Sequence, residues 1–533
     1  MSEDIVDILI IGAGASGAAA AWSLADTRMR IMCMDQGDWV SPADYPSNSR
    51  NWESANRRQF ATSPNQRQLA ADYPVNDEDS PIAVLNYNAV GGSTIIYAAH
   101  FPRFHPSDFR VHSLDGVADD WPLNYAQLEP YYEENDRMMG VSGLSGDPAG
   151  PAKQPPLPPL PIGQVGEKLG RGFNSLCWHW WPSDSAIVSK AYAGRDKCIN
   201  LSACMKGCPQ GAKSTVDITY WPEALRKGVQ LRTKCRVREI TVDERGMATG
   251  VIYYDGDGKE SRQQAHAVIL ACNGVGTARL LLNSRSSGFP DGLANRSDQV
   301  GRNLMFHPYG YAVGVFEESL SHIGPEGCCI LSQEFYETGM DRDFKRGYTL
   351  KVNRGPGPAV TAIGGSARGD IPWGADHHRA FAERFDHTVS VSLMIEDLPE
   401  PHNRVTLDPD LKDADGIPAP KVDYRLSDNS RRMMAHGLEK AGTVLAASGA
   451  SQIKTFGPIR LSGWHLLGTA RMGNDPDTSV VNPFGRCHHV RNLFIIDGSI
   501  FVTAAAVNPT STIQALALYI ADHMKKNLAN LFD

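Results

Sequence analysis

The hydrophobic pattern of the chain opens with a buried strand that runs into a glycine turn and a helix. Residues 5–12 (I-V-D-I-L-I-I-G) form a short apolar run rich in β-branched residues, as in a strand covered on both faces. The run continues into G-A-G-A-S-G and then into A-A-A-A-W-S-L-A, which consists mostly of strong helix formers. A second apolar run, R-I-M-C-M-D, ends at Asp35. The pattern predicts strand, turn, helix and parallel strand in succession.

Later segments show two other patterns. Residues 387–396 (H-T-V-S-V-S-L-M-I-E) alternate apolar and polar side chains, as a half-buried strand does. Residues 266–284 combine a strand, a glycine turn and an amphipathic helix. Residues 146–161 contain seven prolines, which fix the backbone and remove hydrogen-bond donors. This stretch is therefore predicted to be an extended connector between domains.

The composition is that of an ordinary globular protein, and it narrows the function classes. The chain has 533 residues, of which 42% are hydrophobic and 21% charged, enough for one or two large domains. A net charge of −8 without a Lys/Arg run argues against a nucleic-acid partner. No apolar run approaches the ~20 residues that span a bilayer. Because the N-terminus lacks a signal-peptide pattern, we expect a cytoplasmic protein, with periplasmic co-export by a partner subunit as the alternative.

The glycines of residues 12–17 have the spacing of a dinucleotide-binding turn. Gly12 permits the tight turn, Gly14 lets a pyrophosphate approach the backbone, and Gly17 allows close packing of helix on strand. The helix N-terminus offers free N–H groups to phosphates. Asp35, eighteen residues after Gly17, is placed to accept hydrogen bonds from ribose hydroxyls. FAD, NAD and related dinucleotides all fit this arrangement.

Later sequence blocks narrow the choice of cofactor. They are V-G-G-S-T-I-I-Y-A-A-H-F-P-R-F (90–104), G-W-H-L-L-G-T-A-R-M-G (463–473), N-L-F-I-I-D-G-S (492–499) and A-V-N-P-T-S-T-I-Q-A-L-A (506–517). With the N-terminal turn, they resemble the glucose–methanol–choline (GMC) family of FAD oxidoreductases over most of the chain and in the family's order. Within that family, the first block resembles the sugar-oxidising branch, which includes the pyranose oxidases.

The resemblance implies a mixed α/β fold, with a Rossmann-like doubly wound FAD domain beside a substrate domain built on an antiparallel sheet plus helices. It also implies that the FAD domain is assembled from separate parts of the chain. We expect FAD-binding parts at 1–145, 214–308 and 456–533, a Pro-rich connector with a cysteine segment at 146–213, and the substrate domain at 309–455.

The resemblance also assigns residues to the cofactor. The predicted FAD-binding residues are Gly12, Gly14, Ala15, Ser16, Gly17, Asp35, Gln36, Gly91, Gly92, Ser93, Thr94, Val237, Cys272, Asp497, Gly498, Asn508 and Thr510. In pyranose oxidases a histidine of the glycine block links covalently to the flavin, and the matching residue here is Ile96. Isoleucine has no nucleophile, so FAD is expected to be bound without a covalent link.

Oxidation of an alcohol needs a base that takes the hydroxyl proton while hydride leaves the adjacent carbon for the flavin. Histidine suits this task, and the resemblance assigns the base to His465, with Asn508 holding the substrate oxygen. The local sequence also predicts a helix start with Asn508 as N-cap and Pro509 in the first turn. Such a helix N-terminus would stabilise negative charge on reduced flavin. His307, in L-M-F-H-P, is interpreted as a structural turn residue.

These features favour an FAD-dependent dehydrogenase that oxidises a secondary hydroxyl of a sugar or glycoside and passes electrons to an acceptor other than oxygen. A second hypothesis is an oxidase that reduces oxygen to hydrogen peroxide. A third, from another class, is a flavin and iron–sulfur electron-transfer subunit without its own substrate. The pairing of His465 with Asn508 counts against the third, because a pure electron carrier needs no proton acceptor.

Three of the ten cysteines lie within eleven residues, in the order Cys198, Cys204 and Cys208, followed by Pro209. A structural zinc site would need four ligands, and no second pair lies nearby. Thiolates followed by proline are typical of iron–sulfur loops. The block also resembles that of bacterial FAD-dependent glucose dehydrogenases, in which a three-iron cluster relays electrons to a cytochrome. Two interpretations therefore stay open: a cluster that serves a cytochrome or a small accessory subunit, or a tight turn in a flavoprotein.

Overall fold

The computed structural model describes residues 5–54, 58–325, 327 and 329–528. Its strands are β1 (Val6–Ile11), β2 (Ile31–Met34), β3 (Trp181–Pro182), β4 (Gln230–Arg232), β5 (Arg236–Val242), β6 (Ala248–Tyr254), β7 (Glu260–Leu270), β8 (Tyr309–Val315), β9 (Ile330–Ser332), β10 (Tyr348–Asn353), β11 (Thr388–Ile395), β12 (Arg404–Lys412), β13 (Pro418–Asp423), β14 (Gln452–Phe456) and β15 (Leu493–Ile495). Its α-helices are α1 (Ala15–Leu24), α2 (Pro64–Arg67), α3 (Val111–Asp115), α4 (Tyr125–Met139), α5 (Gly163–Ser175), α6 (Tyr220–Arg226), α7 (Asn273–Asn283), α8 (Pro358–Ala367), α9 (His377–Ala382), α10 (Asp428–Ala447) and α11 (Thr510–Lys526).

The first sheet has seven strands, and its parallel part is the predicted nucleotide-binding unit. Strands β4, β2, β1, β7 and β15 run parallel in that spatial order. The first half of β7 turns away and pairs antiparallel with β6, which pairs with β5. β1 and β2 are buried almost throughout, as their continuous apolar runs predict. The expected mixed α/β fold with a Rossmann-like domain is confirmed.

Two glycines explain how β1 passes directly into α1. Gly12 has φ +104, and a side chain there would place its Cβ 2.4 Å from the Ala271 carbonyl oxygen. At Gly17 a Cβ would lie 1.9 Å from the Gly12 carbonyl oxygen. Both contacts are shorter than any real Cβ contact, so only glycine lets the helix start this close to the sheet.

A second, six-stranded sheet lies in the later part of the chain, in the order β14, β8, β11, β10, β9 and β3. Its neighbouring strands pair antiparallel, and α10 and α5 pack against it to form a separate core. Strand β11 occupies residues 388–395, inside the segment that alternation predicts. Because α5 and β3 belong to this unit, the segment 146–213 contributes more than a connector, and the domain limits expected from the sequence stay a prediction.

Buried ion pairs fix this second sheet against the rest of the chain. Arg346, fully buried just before β10, donates to Asp108 at 2.6 Å and to Glu396 at 2.9 Å. Tyr336 donates to the same Asp108 at 2.7 Å, and its hydroxyl oxygen accepts from the Ala506 backbone N–H at 3.4 Å. A buried charge that lost its partner would be costly, so this network holds β10 and the chain around residue 506 in one arrangement.

The Pro-rich residues 146–161 form no helix or strand, as predicted. Among the residues that the structure describes, no helix is both long and apolar enough to cross a membrane.

Candidate active site

A cavity of about 570 Å³ lies where the two sheets meet. One part of its wall comes from the glycine turn after β1, the end of β2 and the start of α7. The opposite part comes from β8, β10 and β11 of the antiparallel sheet, and the chain around residues 464–466 and 508–510 closes the space between them. The glycine turn of the first sheet and the face of the antiparallel sheet therefore border one common cavity.

Gly14 shows that the part of the cavity wall next to β1 has room for a ligand. Its φ is −79, which any residue can adopt, and the nearest atom to an added Cβ would be the Gly92 Cα at 4.0 Å. Unlike Gly12 and Gly17, Gly14 is therefore not required by the protein's own packing. No side chain caps the first turn of α1, and Ala15 and Ser16 of that turn line the cavity. This cradle suits a pyrophosphate, and the residues present fit the FAD predicted from the sequence.

Asp35 ends β2 in the same part of the cavity. Its carboxylate accepts from the Ala13 and Gly37 backbone N–H groups, both at 2.7 Å. Burial raises the pKa of Asp35 to about 6, against the lowering effect of these two bonds. The group is therefore mainly an acceptor at neutral pH, as recognition of ribose hydroxyls requires.

The structure brings nearly all the other predicted cofactor residues to this cavity. Gly17 and Gly91 do not line it; Gly17 lies at the start of helix α1, and Gly91, with φ +97, precedes the lining residue Gly92. Ile96, in place of the covalently linked histidine, also lines the wall. The predicted residues that do line the cavity are Gly12, Gly14, Ala15, Ser16, Asp35, Gln36, Gly92, Ser93, Thr94, Val237, Cys272, Asp497, Gly498, Asn508 and Thr510.

Two of the residues that line the cavity, Asp497 and Cys272, also make hydrogen bonds within the protein. Asp497 accepts from Thr277 at 2.6 Å, from the Asn273 N–H at 3.1 Å and from the Ser499 N–H at 2.9 Å, so it ties the start of α7 to the turn after β15. Cys272 donates its thiol to the Ile11 carbonyl oxygen at 3.2 Å. Burial raises the pKa of this thiol, so Cys272 is a neutral wall residue and not a nucleophile.

His465 lies at the meeting point of the two sheets, and its hydrogen bonds determine which nitrogen carries the proton. His307 Nε2 lies 3.0 Å from the Ala505 carbonyl oxygen, an acceptor only, so Nε2 carries the proton. His307 Nδ1 must then accept, and it lies 3.0 Å from His465 Nδ1. His465 therefore donates from Nδ1, which leaves the Nε2 lone pair free for a proton.

Asn508 gives the same result from the other side. Its Oδ1 accepts from Lys351 Nζ at 3.4 Å, and an ammonium group can only donate. The amide nitrogen of Asn508 therefore faces His465, 3.3 Å from Nε2. Two independent chains of hydrogen bonds thus present His465 Nε2 as an acceptor.

The predicted helix cap at Asn508 is wrong by one residue. Pro509 is the N-cap of α11 and the helix begins at Thr510, with no side-chain capping bond. The Asn508 side chain is instead committed to His465 and Lys351, so it is not available to its own backbone. The N-terminus of the 17-residue α11 still lines the cavity through Thr510, where its positive end favours negative charge.

Three residues of this site are not identified by the sequence patterns. His307 looks structural in its local context because its role depends on His465, which lies 158 positions away. Neither Lys351 nor His100 belongs to a sequence motif, although both line the cavity. No local signal singles out Lys351, because it lies in a strand that is buried over its first five residues, Lys351 included.

The cysteine segment forms a closed loop. The Lys213 ammonium donates to the carbonyl oxygens of Cys204 at 2.6 Å, Ile95 at 2.7 Å and Tyr97 at 3.0 Å. Cys198, Cys204 and Cys208 line one cavity of about 20 Å³, which is room for one water molecule. Across the described part of the chain, no three His, Cys, Asp or Glu side chains are arranged to hold a metal ion. These residues as arranged do not fit an iron–sulfur cluster.

Comparison with known proteins agrees with this architecture. Two family models, both described as GMC oxidoreductase, match residues 186–309 and 399–517. A 2-methyl-1,2-propanediol dehydrogenase of Mycolicibacterium austroafricanum is 40% identical, over 100% of this chain and 97% of the relative. A fructose dehydrogenase large subunit of Gluconobacter japonicus is 29% identical, over 98% of both chains. The crystal structure of pyridoxine 4-oxidase from Mesorbium loti superposes with a TM-score of 0.69 at 17% identity, covering 98% of this chain and 99% of that one.

Proposed function

Because the chain belongs to the GMC oxidoreductase family, whose members bind FAD, we propose that it oxidises an alcohol to a carbonyl compound with His465 as the base. The observation that carries the proposal is the unprotonated His465 Nε2 at the edge of the cavity, fixed from both sides by His307 and Asn508. The first candidate substrate is a sugar or glycoside whose secondary hydroxyl becomes a ketone. Small polyols are the second, since the relative at 40% identity is named for a diol.

Each side chain around the substrate hydroxyl group has a separate part in the proposed reaction. His465 Nε2 accepts the hydroxyl proton, and Asn508 Nδ2 is placed to donate to the substrate oxygen as that oxygen becomes more negative. His307 is a positioning residue: it holds the His465 tautomer through Nδ1. When bound, FAD supplies the acceptor for the hydride that leaves the carbinol carbon. The N-terminus of α11 favours negative charge at its end of the cavity.

The pKa of His465 predicts how activity depends on pH. Burial lowers this pKa well below the ordinary value of 6.5, and His307, Lys351 and His100 lower it further. A base must be unprotonated, so activity should hold down to a pH below 6.5 and then fall. Replacing Lys351 by methionine removes a positive charge that opposes protonation, so the acidic fall should move to higher pH.

This pH dependence is measured as the anaerobic rate of flavin reduction by a saturating alcohol between pH 4.5 and 9. Lys454→Met, on the exposed strand β14 of the same sheet, is the matched control and should leave the profile in place. An acidic fall centred above pH 6.5 in the wild type, or an unchanged position in Lys351→Met, would contradict the assignment of His465.

The fate of the electrons is the second part of the proposal. We infer that the electron acceptor is a molecule other than oxygen. The 2-methyl-1,2-propanediol dehydrogenase and the fructose dehydrogenase large subunit described above are both named dehydrogenases. The name "large subunit" of one of them supports a partner protein, such as a cytochrome or small accessory subunit, as that acceptor. Electrons are not expected to pass through the cysteine segment, since Cys198, Cys204 and Cys208 do not fit a cluster as arranged.

Two measurements on anaerobically purified protein test this part. We expect alcohol-reduced flavin to be reoxidised by a quinone or ferricyanide at least about tenfold faster than by air-saturated buffer. Iron and acid-labile sulfide are expected to be absent from the protein. Rapid reoxidation by air with peroxide release would assign an oxidase, and stoichiometric iron with a paramagnetic signal would restore the cluster at the three cysteines.

A further inference from the structure

The part of the cavity wall that the antiparallel sheet provides is largely polar, with Met394 as its aliphatic member. Tyr311 on β8 and Lys351 on β10 line the cavity on either side of Ser392, their common neighbour on β11. Ser390 and Asn353, one step further along the same face, line the cavity as well. A wall for a purely apolar alcohol would carry aliphatic side chains here, so the substrate is expected to bring more than one polar group.

Lys351 is the charged group of this wall. The residue is only 8% exposed, and its ammonium lies 3.4 Å from Asn508 Oδ1 and 5.9 Å from the centre of the Tyr309 ring. One amide group therefore separates Lys351 from His465 Nε2, the atom that takes the proton. Lys351, His100 and His465 all line the same cavity, and the ammonium lowers the pKa of both histidines.

His100 lines the same cavity and carries a buried acceptor without a partner among the described residues. The residue is 6% exposed, and its Nδ1 lies 2.6 Å from Ser183 Oγ, which itself donates to the Asp184 carbonyl oxygen at 3.2 Å. Nδ1 therefore donates to Ser183, and Nε2 on the opposite ring edge is an acceptor. This Nε2 is buried, and within the described residues it has no hydrogen-bond partner. Because His100 also lines the cavity, this acceptor is available to a hydrogen-bond donor of a ligand.

We propose that Lys351 and His100 form a second binding point for a hydroxyl group next to the one that is oxidised, so that the enzyme selects vicinal diols, including sugar rings, over monohydric alcohols. The inference rests on the proposed alcohol oxidation at His465. A hydroxyl matches both groups, because its oxygen accepts from Lys351 while its hydrogen is donated to His100 Nε2. A carboxylate would satisfy Lys351 alone and bring its lone pairs against those of His100.

The test compares alcohols that differ only in the second hydroxyl: trans-1,2-cyclohexanediol with cyclohexanol, and 1,2-propanediol with 1-propanol. The readout is the ratio of kcat/KM within each pair, measured with an artificial electron acceptor. A site built to hydrogen-bond a substrate hydroxyl rejects the analogue that lacks it, so the wild type should favour each diol by at least about tenfold to a hundredfold.

Two variants address the two sides of the binding point. Lys351→Met removes the donor, and His100→Asn keeps the bond on the Ser183 side while removing the acceptor. Each should lower the diol preference by about tenfold. Because loss of the Lys351 contact with Asn508 slows both members of a pair alike, the ratio reports the second hydroxyl alone. Lys454→Met is the control and should keep the wild-type ratio.

The outcomes separate this inference from the proposed function. Equal kcat/KM values for diol and monohydric alcohol in the wild type, or an unchanged ratio in both variants, would overturn the second binding point while alcohol oxidation stands. A preference for lactate over 1,2-propanediol would overturn it in favour of a carboxylate. If no alcohol of either kind reduces the flavin, the proposed function fails and the inference fails with it.

Discussion

Replacing His465 by alanine is expected to slow the reduction of bound FAD by an alcohol by about 10² to 10⁴-fold, the range that a positioned base contributes. The Nε2 atom of His465 is the proton acceptor that lies next to Asn508, the residue placed to hold the substrate oxygen. Asn508 remains in the variant, but its amide can only donate or accept hydrogen bonds and cannot take the hydroxyl proton. The loss should therefore appear in the chemical step and not in the cofactor content.

The reduction rate is measured by anaerobic stopped-flow absorbance of the flavin. His465→Gln separates shape from basicity, because an amide occupies the place of Nε2 without accepting a proton, and we expect it to be nearly as slow as His465→Ala. His402→Ala is the matched control, since the His402 side chain is 60% exposed, and it should react at the wild-type rate. Wild-type rates in both His465 variants would assign the base elsewhere.

Replacing Gly14 by valine is expected to weaken FAD binding by about ten- to a hundredfold while the polypeptide still folds. The protein alone leaves space for a side chain here, with the nearest atom 4.0 Å from the added Cβ. A valine at this N-cap costs the helix about 1 kcal/mol, but it fills the cradle in which a pyrophosphate would lie. Overpacking costs about 1–3 kcal/mol, and each 1.4 kcal/mol is about tenfold in affinity.

Thermal unfolding with and without added FAD distinguishes this effect from simple destabilisation. A ligand at a hundred times its Kd stabilises the folded wild type by about 2.7 kcal/mol, and a Gly14→Val variant with about ten- to hundredfold weaker binding should lose about 1.3 to 2.3 kcal/mol of that increase. Gly17→Ala is the contrast, because its Cβ would lie 1.9 Å from a backbone oxygen, so the unliganded protein itself should be less stable. If Gly14→Val binds FAD as the wild type does, the cofactor phosphates lie elsewhere.

The sequence is most informative where local backbone geometry demands a particular residue. Gly12 is needed for its positive φ, and Gly17 because a Cβ there would collide with the Gly12 carbonyl oxygen, so both requirements arise within six residues of sequence. The strand β2 that ends at Asp35 and the sequence block around His465 are likewise short continuous patterns. These segments are sufficient to predict the Rossmann-like unit and the proposed base.

The remainder of the site depends on contacts between distant parts of the chain. His307 reaches His465 across 158 positions, and Lys351 reaches Asn508 across 157. Neither residue has a local pattern that sets it apart from a structural histidine or a solvated lysine. The predicted N-cap at Asn508 is misplaced for the same reason, since local preference favours the cap and distant partners take the side chain instead.

In the cysteine segment, the spacing of the cysteines alone does not predict the structure. Spacing and the following proline suggest metal ligands, but the loop is closed by Lys213, whose ammonium holds three carbonyl oxygens. A buried ammonium in this position provides an ordinary structural reason for the tight turn. That reason depends on Ile95 and Tyr97, more than 100 positions earlier, and is therefore invisible in the spacing.

If the unprotonated Nε2 of His465 starts the oxidation of the alcohol, a single-turnover comparison of the wild-type enzyme and His465→Ala will show it most directly. The two proteins are matched for flavin content and mixed at pH 8 with a saturating diol and no electron acceptor. We predict full bleaching of the flavin in both proteins, with a rate in the variant lower by at least about a hundredfold. Equal rates in the two proteins would contradict it.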